Sequence, residues 1–241
     1  VFVVAHRHQG LEMISSSDQR EKSGTALRIA RTSIAIGSLL FVSLTVAVLN
    51  AWTERFDHDV LLAIRHRDDT SMPLGPSSLV HIFIAITDLG SSIALGIIAA
   101  AIAGYLFIVG KRSDAVFLLF SVIGAWCLFN IIKLAVGRPR PDIGLHLVTA
   151  SGFSFPSGHA TDSSATYLAL ALLFAATQSS SRLRACGYAL ALVMIALIGS
   201  SRVYLGVHYP IDVVAGWCCG LVWVLVCWLV TKRLTLARSR G

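Results

Sequence analysis

Six long apolar stretches recur along this chain, and they limit what it can fold into more than any other feature. The first is continuous from Thr32 to Ala51, and the others cover about residues 91–109, 115–136, 158–176, 185–201 and 210–230. About 20 residues at helical rise cross the ~30 Å hydrocarbon core of a bilayer. Backbone in lipid must satisfy its own hydrogen bonds, and a helix does so within one segment. The expected fold is therefore all-α: a polytopic membrane protein whose six transmembrane helices form a bundle over residues 32–231. Composition points the same way, because 14% of residues are charged and 55% are hydrophobic. A soluble domain carries about a quarter charged residues.

The segments between the stretches read differently. Residues 1–31 are polar and lack an apolar signal core, so they read as a mostly disordered cytoplasmic tail; residues 232–241 read as a short basic one. Between the first two spans, Phe56, Val60, Leu61 and Ile64 share one helical face, with Glu54, Asp57, His58 and Arg65 elsewhere. That pattern predicts a short amphipathic helix on the outer surface. Pro73, Gly75 and Pro76 break it. Leu79 to Leu89 is too short to span and reads as interfacial or as an extension of the second span, with Asp88 as a cap before Gly90.

The net charge is +7, yet the basic residues are dispersed at the ends of apolar runs. No nucleic-acid partner is expected from that distribution; membrane topology explains it. The two tails and the two tight turns, Gly110–Asp114 and Gln178–Arg184, hold 13 of the 20 Lys and Arg residues, and the opposite side holds seven. The positive-inside rule then places both termini in the cytoplasm. Short loops without an Asn-x-Ser/Thr acceptor fit a bacterial inner membrane, with the other face periplasmic. The five cysteines lie in or beside apolar runs, without metal-ligand spacing, and read as small packing residues. Neither a metal nor another cofactor is expected. Membrane lipids are the expected surroundings, and no pattern indicates an oligomeric state.

Three junctions on the outer side hold the residues suited to chemistry. The end of the third span brings Lys133, Arg138 and Arg140; the start of the fourth brings Ser157, Gly158 and His159; the junction of the last two brings Arg202, His208 and Asp212. Lys133 alone is also compatible with snorkelling to the headgroups. Three cations converging on one face call for a shared anion, and guanidinium forks match phosphate oxygens. Ser157 suits a helix N-cap, and the amides after it form an anion site. Asp212, four residues after His208, can hold one imidazole nitrogen and leave the other free to attack; a chance capping pair is the plainer reading. Asp162 can assist the helix dipole.

These residues form a pattern. Lys133 through Arg140-Pro141 reads K-x6-R-P, Pro156 to His159 reads P-S-G-H, and Ser201-Arg202 through His208 to Asp212 reads S-R-x5-H-x3-D. Together, over roughly residues 85–230, they resemble the three-part signature of the phosphatidic acid phosphatase type 2 family, integral-membrane relatives of the vanadium haloperoxidases. The resemblance implies a metal-independent phosphohydrolase acting on a lipid phosphate or diphosphate. It implies that Lys133, Arg140 and Arg202 bind the phosphate with Ser157 and the Gly158 amide. His208 would be the nucleophile that becomes phosphohistidine, Asp212 its orienter, and His159 the donor to the leaving oxygen. Undecaprenyl diphosphate, phosphatidic acid, phosphatidylglycerophosphate and lipid A are the candidate substrates, the first of them preferred. A phosphotransferase using the same intermediate and a non-enzymatic lipid-phosphate binder or transporter are the alternatives.

Overall fold

The computed structural model describes residues 2–238, with side chains from Gly24 to Thr235 apart from Ile143, and at Ala237. Val1 and the end of the expected basic tail, residues 239–241, lie outside the described residues. Eight α-helices follow one another: α1 (Phe2–Leu49), α2 (Glu54–Ala63), α3 (Ser77–Asp88), α4 (Ser92–Ile108), α5 (Arg112–Val136), α6 (Gly158–Thr177), α7 (Ser181–Tyr204) and α8 (Pro210–Arg238). The first helix corrects one expectation. The polar segment read as mostly disordered continues the first span as helix from Phe2.

Among the described residues, four helices are long and apolar enough to cross a membrane: α1 from Gly24, α5, α7 and α8. A fifth span arises if α3 and α4, bent by 45° at a short break, count as one. The break belongs to Ser91, whose hydroxyl accepts from the Ala94 amide at 3.2 Å and so caps α4. Ser91, and not Asp88, is the cap.

Helix α6 falls short on apolarity for a physical reason. It packs against α4, α5, α7 and α8, so its neighbours are protein rather than lipid. Thr161, Asp162, Ser163, Ser164 and Thr166 are all buried along it. Small residues let α8 come close. A methyl group on Gly216 would sit 2.7 Å from the Ser157 carbonyl oxygen, and one on Gly220 would sit 2.5 Å from that of Thr161. The apolar core, including Ala103, Leu118, Ala169 and Val224, fills the remainder of this packing.

Helix α2 turns a different face to the protein than its amphipathic pattern predicts. Thr53, Asp57, Leu61 and Arg65, each four residues apart, are buried, while Phe56 is exposed. The polar stripe is turned inward because it has partners there. Arg65 donates to the carbonyls of Leu145 and Tyr204, both at 3.0 Å. It thereby clips the surface segment to the end of α7 and to the 3-10 turn at Ile143–Leu145. Arg65→Met leaves two buried carbonyls without donors, at about 1–3 kcal/mol each. The expected result is a thermal midpoint in detergent lowered by at least about 5 °C; an unchanged midpoint would show that the clip contributes nothing.

Candidate active site

Four helix ends meet at one end of the bundle. α5 stops at Gly137, in the left-handed conformation with φ 65°, whose N–H bonds back to the Lys133 carbonyl at 2.9 Å. The prolines of Arg138-Pro139-Arg140-Pro141 prevent the helix from resuming. α6 starts after extended Ser157. α7 ends at Tyr204, and Gly206 (φ 74°) turns the chain so that α8 can start at Pro210. Proline suits that first helical position because its missing N–H would have no intrahelical acceptor.

A cavity of about 570 Å³ lies among these ends. Lys133, Arg140, Arg202, Gly158, His159 and His208 line it, together with the loop 149–153 and Ser92 of α4. Among the described residues no carboxylate lines it. The three cations are balanced chiefly by dipoles. Lys133 donates to the carbonyls of Phe153 (2.5 Å) and Ser154 (3.2 Å). Arg140 donates to Ser151 at 2.9 Å, Gly152 at 3.1 Å and Val207 at 2.7 Å. Arg202 donates to the Thr87 hydroxyl at 2.9 Å, and its buried Nε has no partner. The first-turn amides of α6 also point along the axis without intrahelical acceptors. Such a cavity favours an anion.

His208 forms the inner wall and is buried. Its Nε2 lies 3.1 Å from an Arg140 N–H, and its Nδ1 lies 3.5 Å from Asp212 Oδ2. The second distance is long for a hydrogen bond. Ser154 occupies the gap: its hydroxyl is 3.4 Å from Nδ1 and donates to Asp212 Oδ2. The Tyr209 amide donates to the same oxygen at 3.0 Å. Asp212 Oδ1 accepts from Arg138 at 2.6 Å. Complete burial, and then the charges of Lys133, Arg140 and Arg202, hold the His208 pKa well below 6.5. Both causes favour the neutral imidazole, which turns Nδ1 to the Asp212 side and Nε2 to the cavity side.

Ser157 departs from its expected place. Its hydroxyl makes no capping bond, is buried, and has no partner, and it does not line the cavity. Its amide donates to the Asp212 carbonyl at 2.9 Å instead. That bond, with the Gly216 approach, joins the start of α6 to the start of α8. Asp162 lies below His159, buried, and accepts from Ser92 at 2.5 Å.

Three residues at the site gave no clear signal in the sequence. Arg138 reads as one more cation beside Arg140, yet it is buried and bridges Asp212 and Asp57. Asp57 sits on a helix whose amphipathic pattern assigns its polar face to solvent; the four-residue spacing Thr53-Asp57-Leu61-Arg65 is the available clue. Ser154 is two residues before Pro156, in a loop without periodicity.

A bundle of long apolar helices, with a buried histidine on the wall of a cavity that is lined by cations and, among the described residues, by no carboxylate, defines the class: a membrane protein with a site suited to an anion. The sequence model of the PAP2 superfamily matches residues 114–236, and the chain belongs to that family. Phosphatidylglycerophosphatase B of Bacillus subtilis (strain 168) is 36% identical over 146 residues, 60% of this chain and 71% of that one. Lipid A 1-phosphatase of Rhizobium johnstonii is 36% identical over 153 residues, 56% of this chain; the chain spans 58% of that relative's length. An undecaprenyl-diphosphatase of Sulfolobus acidocaldarius is 38% identical over 114 residues, 45% of this chain and 51% of that one. Among solved structures, the first transmembrane PAP2 type phosphatidylglycerolphosphate phosphatase from Bacillus subtilis matches with a TM-score of 0.75 and 27% identity, over 83% of this chain and 96% of that one. The chain is thus an integral membrane protein similar to bacterial lipid phosphatases.

Proposed function

We propose that this chain is a membrane phosphohydrolase that removes phosphate from a lipid phosphate or diphosphate through a phosphohistidine at His208. The observation that carries the reading is the cavity itself. It gathers Lys133, Arg140 and Arg202 beside His208, with no carboxylate among the described residues of its wall. A bound phosphate group would draw the Arg140 guanidinium from Nε2 and free that lone pair. Nε2 then attacks phosphorus in line, and the phosphorus–oxygen bond to the lipid breaks. His159, on the cavity wall, relays to the leaving oxygen the proton that the phosphate group brings as its monoanion. Water, deprotonated by His159, attacks the phosphohistidine and releases inorganic phosphate with His208 restored. The cations offset the charge on the transferring group, the task a metal performs elsewhere. Metal independence is part of the proposal.

The Bacillus subtilis phosphatase is similar in both sequence and structure, so phosphatidylglycerophosphate heads the substrate panel, with undecaprenyl diphosphate, phosphatidic acid and lipid A beside it. We place both termini in the cytoplasm of a bacterial inner membrane and the cavity on the periplasmic face, from the distribution of Lys and Arg. Purified protein should release phosphate from at least one of the four lipids, with EDTA present or absent. No release from any of them, or release abolished by EDTA and restored by a divalent metal, would overturn the reading. Phosphate appearing on an added lipid alcohol, instead of in water, would make it a transferase.

The His208 environment also sets a pH dependence. A histidine whose folded pKa lies below 6.5 keeps its neutral form as pH falls through 6.5. The expected kcat changes less than about threefold between pH 7 and pH 5.5. A loss of kcat with a midpoint near 6.5 that persists in a His159→Ala variant would mean that the nucleophile titrates normally. By linkage the same group should make folding weaker below pH 6.5, where only the unfolded chain takes up the proton.

A further inference from the structure

The proposed reaction uses His208 and Asp212 but leaves a buried ion network behind them unexplained. Arg138 divides its guanidinium between two carboxylates. NH1 donates to Asp212 Oδ1 at 2.6 Å, and NH2 donates to Asp57 Oδ2 at 2.7 Å and to the Thr53 hydroxyl at 3.3 Å. The guanidinium lies over the Tyr209 ring, 4.2 Å from its centroid, which fixes its plane. Asp57 Oδ1 accepts from the amide of Ile211, the residue before Asp212, at 3.1 Å. Both carboxylates are fully buried. Asp57 belongs to α2, outside residues 114–236 that match the family.

We propose that Asp57 is a positioning residue for the reaction: through Arg138 and the Ile211 amide, it holds Asp212 in the orientation that serves His208. This inference rests on the phosphohydrolase reading. Its physical basis is the geometry of the guanidinium fork. With both carboxylates present, each takes one edge of Arg138, and Asp212 keeps Oδ2 for Ser154, the Tyr209 amide and His208. Without the Asp57 charge, NH2 loses its partner. Arg138 can then turn and grip both oxygens of Asp212, the bidentate arrangement that guanidinium and carboxylate favour. Oδ2 would then leave the His208 side, while an uncharged oxygen at position 57 still accepts from the Ile211 amide. A surface helix is thereby made part of the machinery that aims the nucleophile. The phosphate-binding cations lie on the other side of His208, so substrate binding should be spared.

The test measures kcat and KM for phosphate release from a short-chain lipid phosphate in detergent, together with thermal unfolding. Asp57→Asn keeps the shape and an acceptor for Ile211 but removes the charge. Its expected effect is a kcat lowered about 10- to 50-fold with KM changed less than twofold, in line with the cost of small misplacements at a reacting group. Asp57→Glu, which restores the charge, should recover kcat at least fivefold over the Asn variant. In an Arg138→Gln background, adding Asp57→Asn should change kcat less than twofold, because its route to Asp212 is already cut. A purely structural Asp57 would lower the unfolding midpoint but leave kcat per folded molecule intact, and that result overturns the inference. Two effects that multiply independently overturn it as well. If Asp57→Asn does not fold, a kcat of Asp57→Glu equal to that of Arg138→Gln overturns it, since the charge would then have no effect. Wild-type protein inactive on every lipid phosphate overturns the phosphohydrolase reading and this inference together; an active wild type with an unaffected Asp57→Asn overturns this inference alone.

Discussion

His208→Asn should reduce phosphate release by at least about 10⁴-fold, the scale seen when a nucleophile is removed from a catalytic unit. Asparagine is smaller but keeps a polar atom near the Nδ1 position that can still meet Ser154, so the fold should survive, and thermal unfolding checks that. Lys133, Arg140 and Arg202 remain, so inorganic phosphate should bind within about threefold of the wild type by calorimetry. The pairing of lost turnover with retained anion binding is the decisive feature. A folded His208→Asn protein with more than about 1% of wild-type kcat would remove His208 from the bond-forming role. A phosphohistidine is labile in acid and stable in base, so wild-type protein quenched in alkali during turnover should retain protein-bound phosphate. The variant should retain none.

Gly216→Val should be the most damaging change that touches no residue proposed to act on the substrate. A Cβ there meets the Ser157 carbonyl oxygen at 2.7 Å and the Ala160 methyl at 2.8 Å, and valine adds two further methyl groups. Overpacking of this kind costs about 1–3 kcal/mol. The larger consequence is geometric. The start of α6 carries Gly158 and His159, the start of α8 carries Asp212, and the Ser157 amide to Asp212 carbonyl bond joins them at 2.9 Å. Moving the helices apart separates the proposed proton donor from the nucleophile. Displacement by about 1 Å costs on the order of 10² in rate. The expected result is a folded protein with a lowered unfolding midpoint and kcat reduced about 100-fold. Activity at wild-type level in that variant would mean that the two helix starts do not need this spacing.

How much of this was legible in the chain differs by level. Each of the six apolar runs forms most of a helix, although the first overruns α1 at Asn50 and Ala51 and the second overruns α4 at Ser91 and Val109; apolar length in a bilayer leaves the backbone few alternatives. The turn signals were equally direct. Gly137 before two prolines, and Pro210 at a helix start, act through local backbone chemistry that any surroundings preserve. The proposed site residues could be grouped because motif spacing and the topology of spans bring their helix ends to one face. Lys133, Arg140, His159, Arg202 and His208 do line one cavity.

The tertiary structure decided what depended on partners far along the chain. α2 shows this best. Its apolar positions predicted one buried face, but Asp57 and Arg65 turned inward, because Arg138, Leu145 and Tyr204 wait there. Local amphipathicity does not register a buried ion pair formed across 81 residues. Ser157 shows the converse: its type and place predicted a cap, and packing against α8 hid its hydroxyl. Helix α6 resembles a weak membrane span because its environment is protein, a fact only its neighbours supply. The chain alone therefore determined which segments form long apolar helices and which junctions hold cations and histidines, since both follow from local composition and helical rise. Which atoms meet His208, and through whom, was settled by packing, where one guanidinium shared between Asp57 and Asp212 sets the aim of a carboxylate.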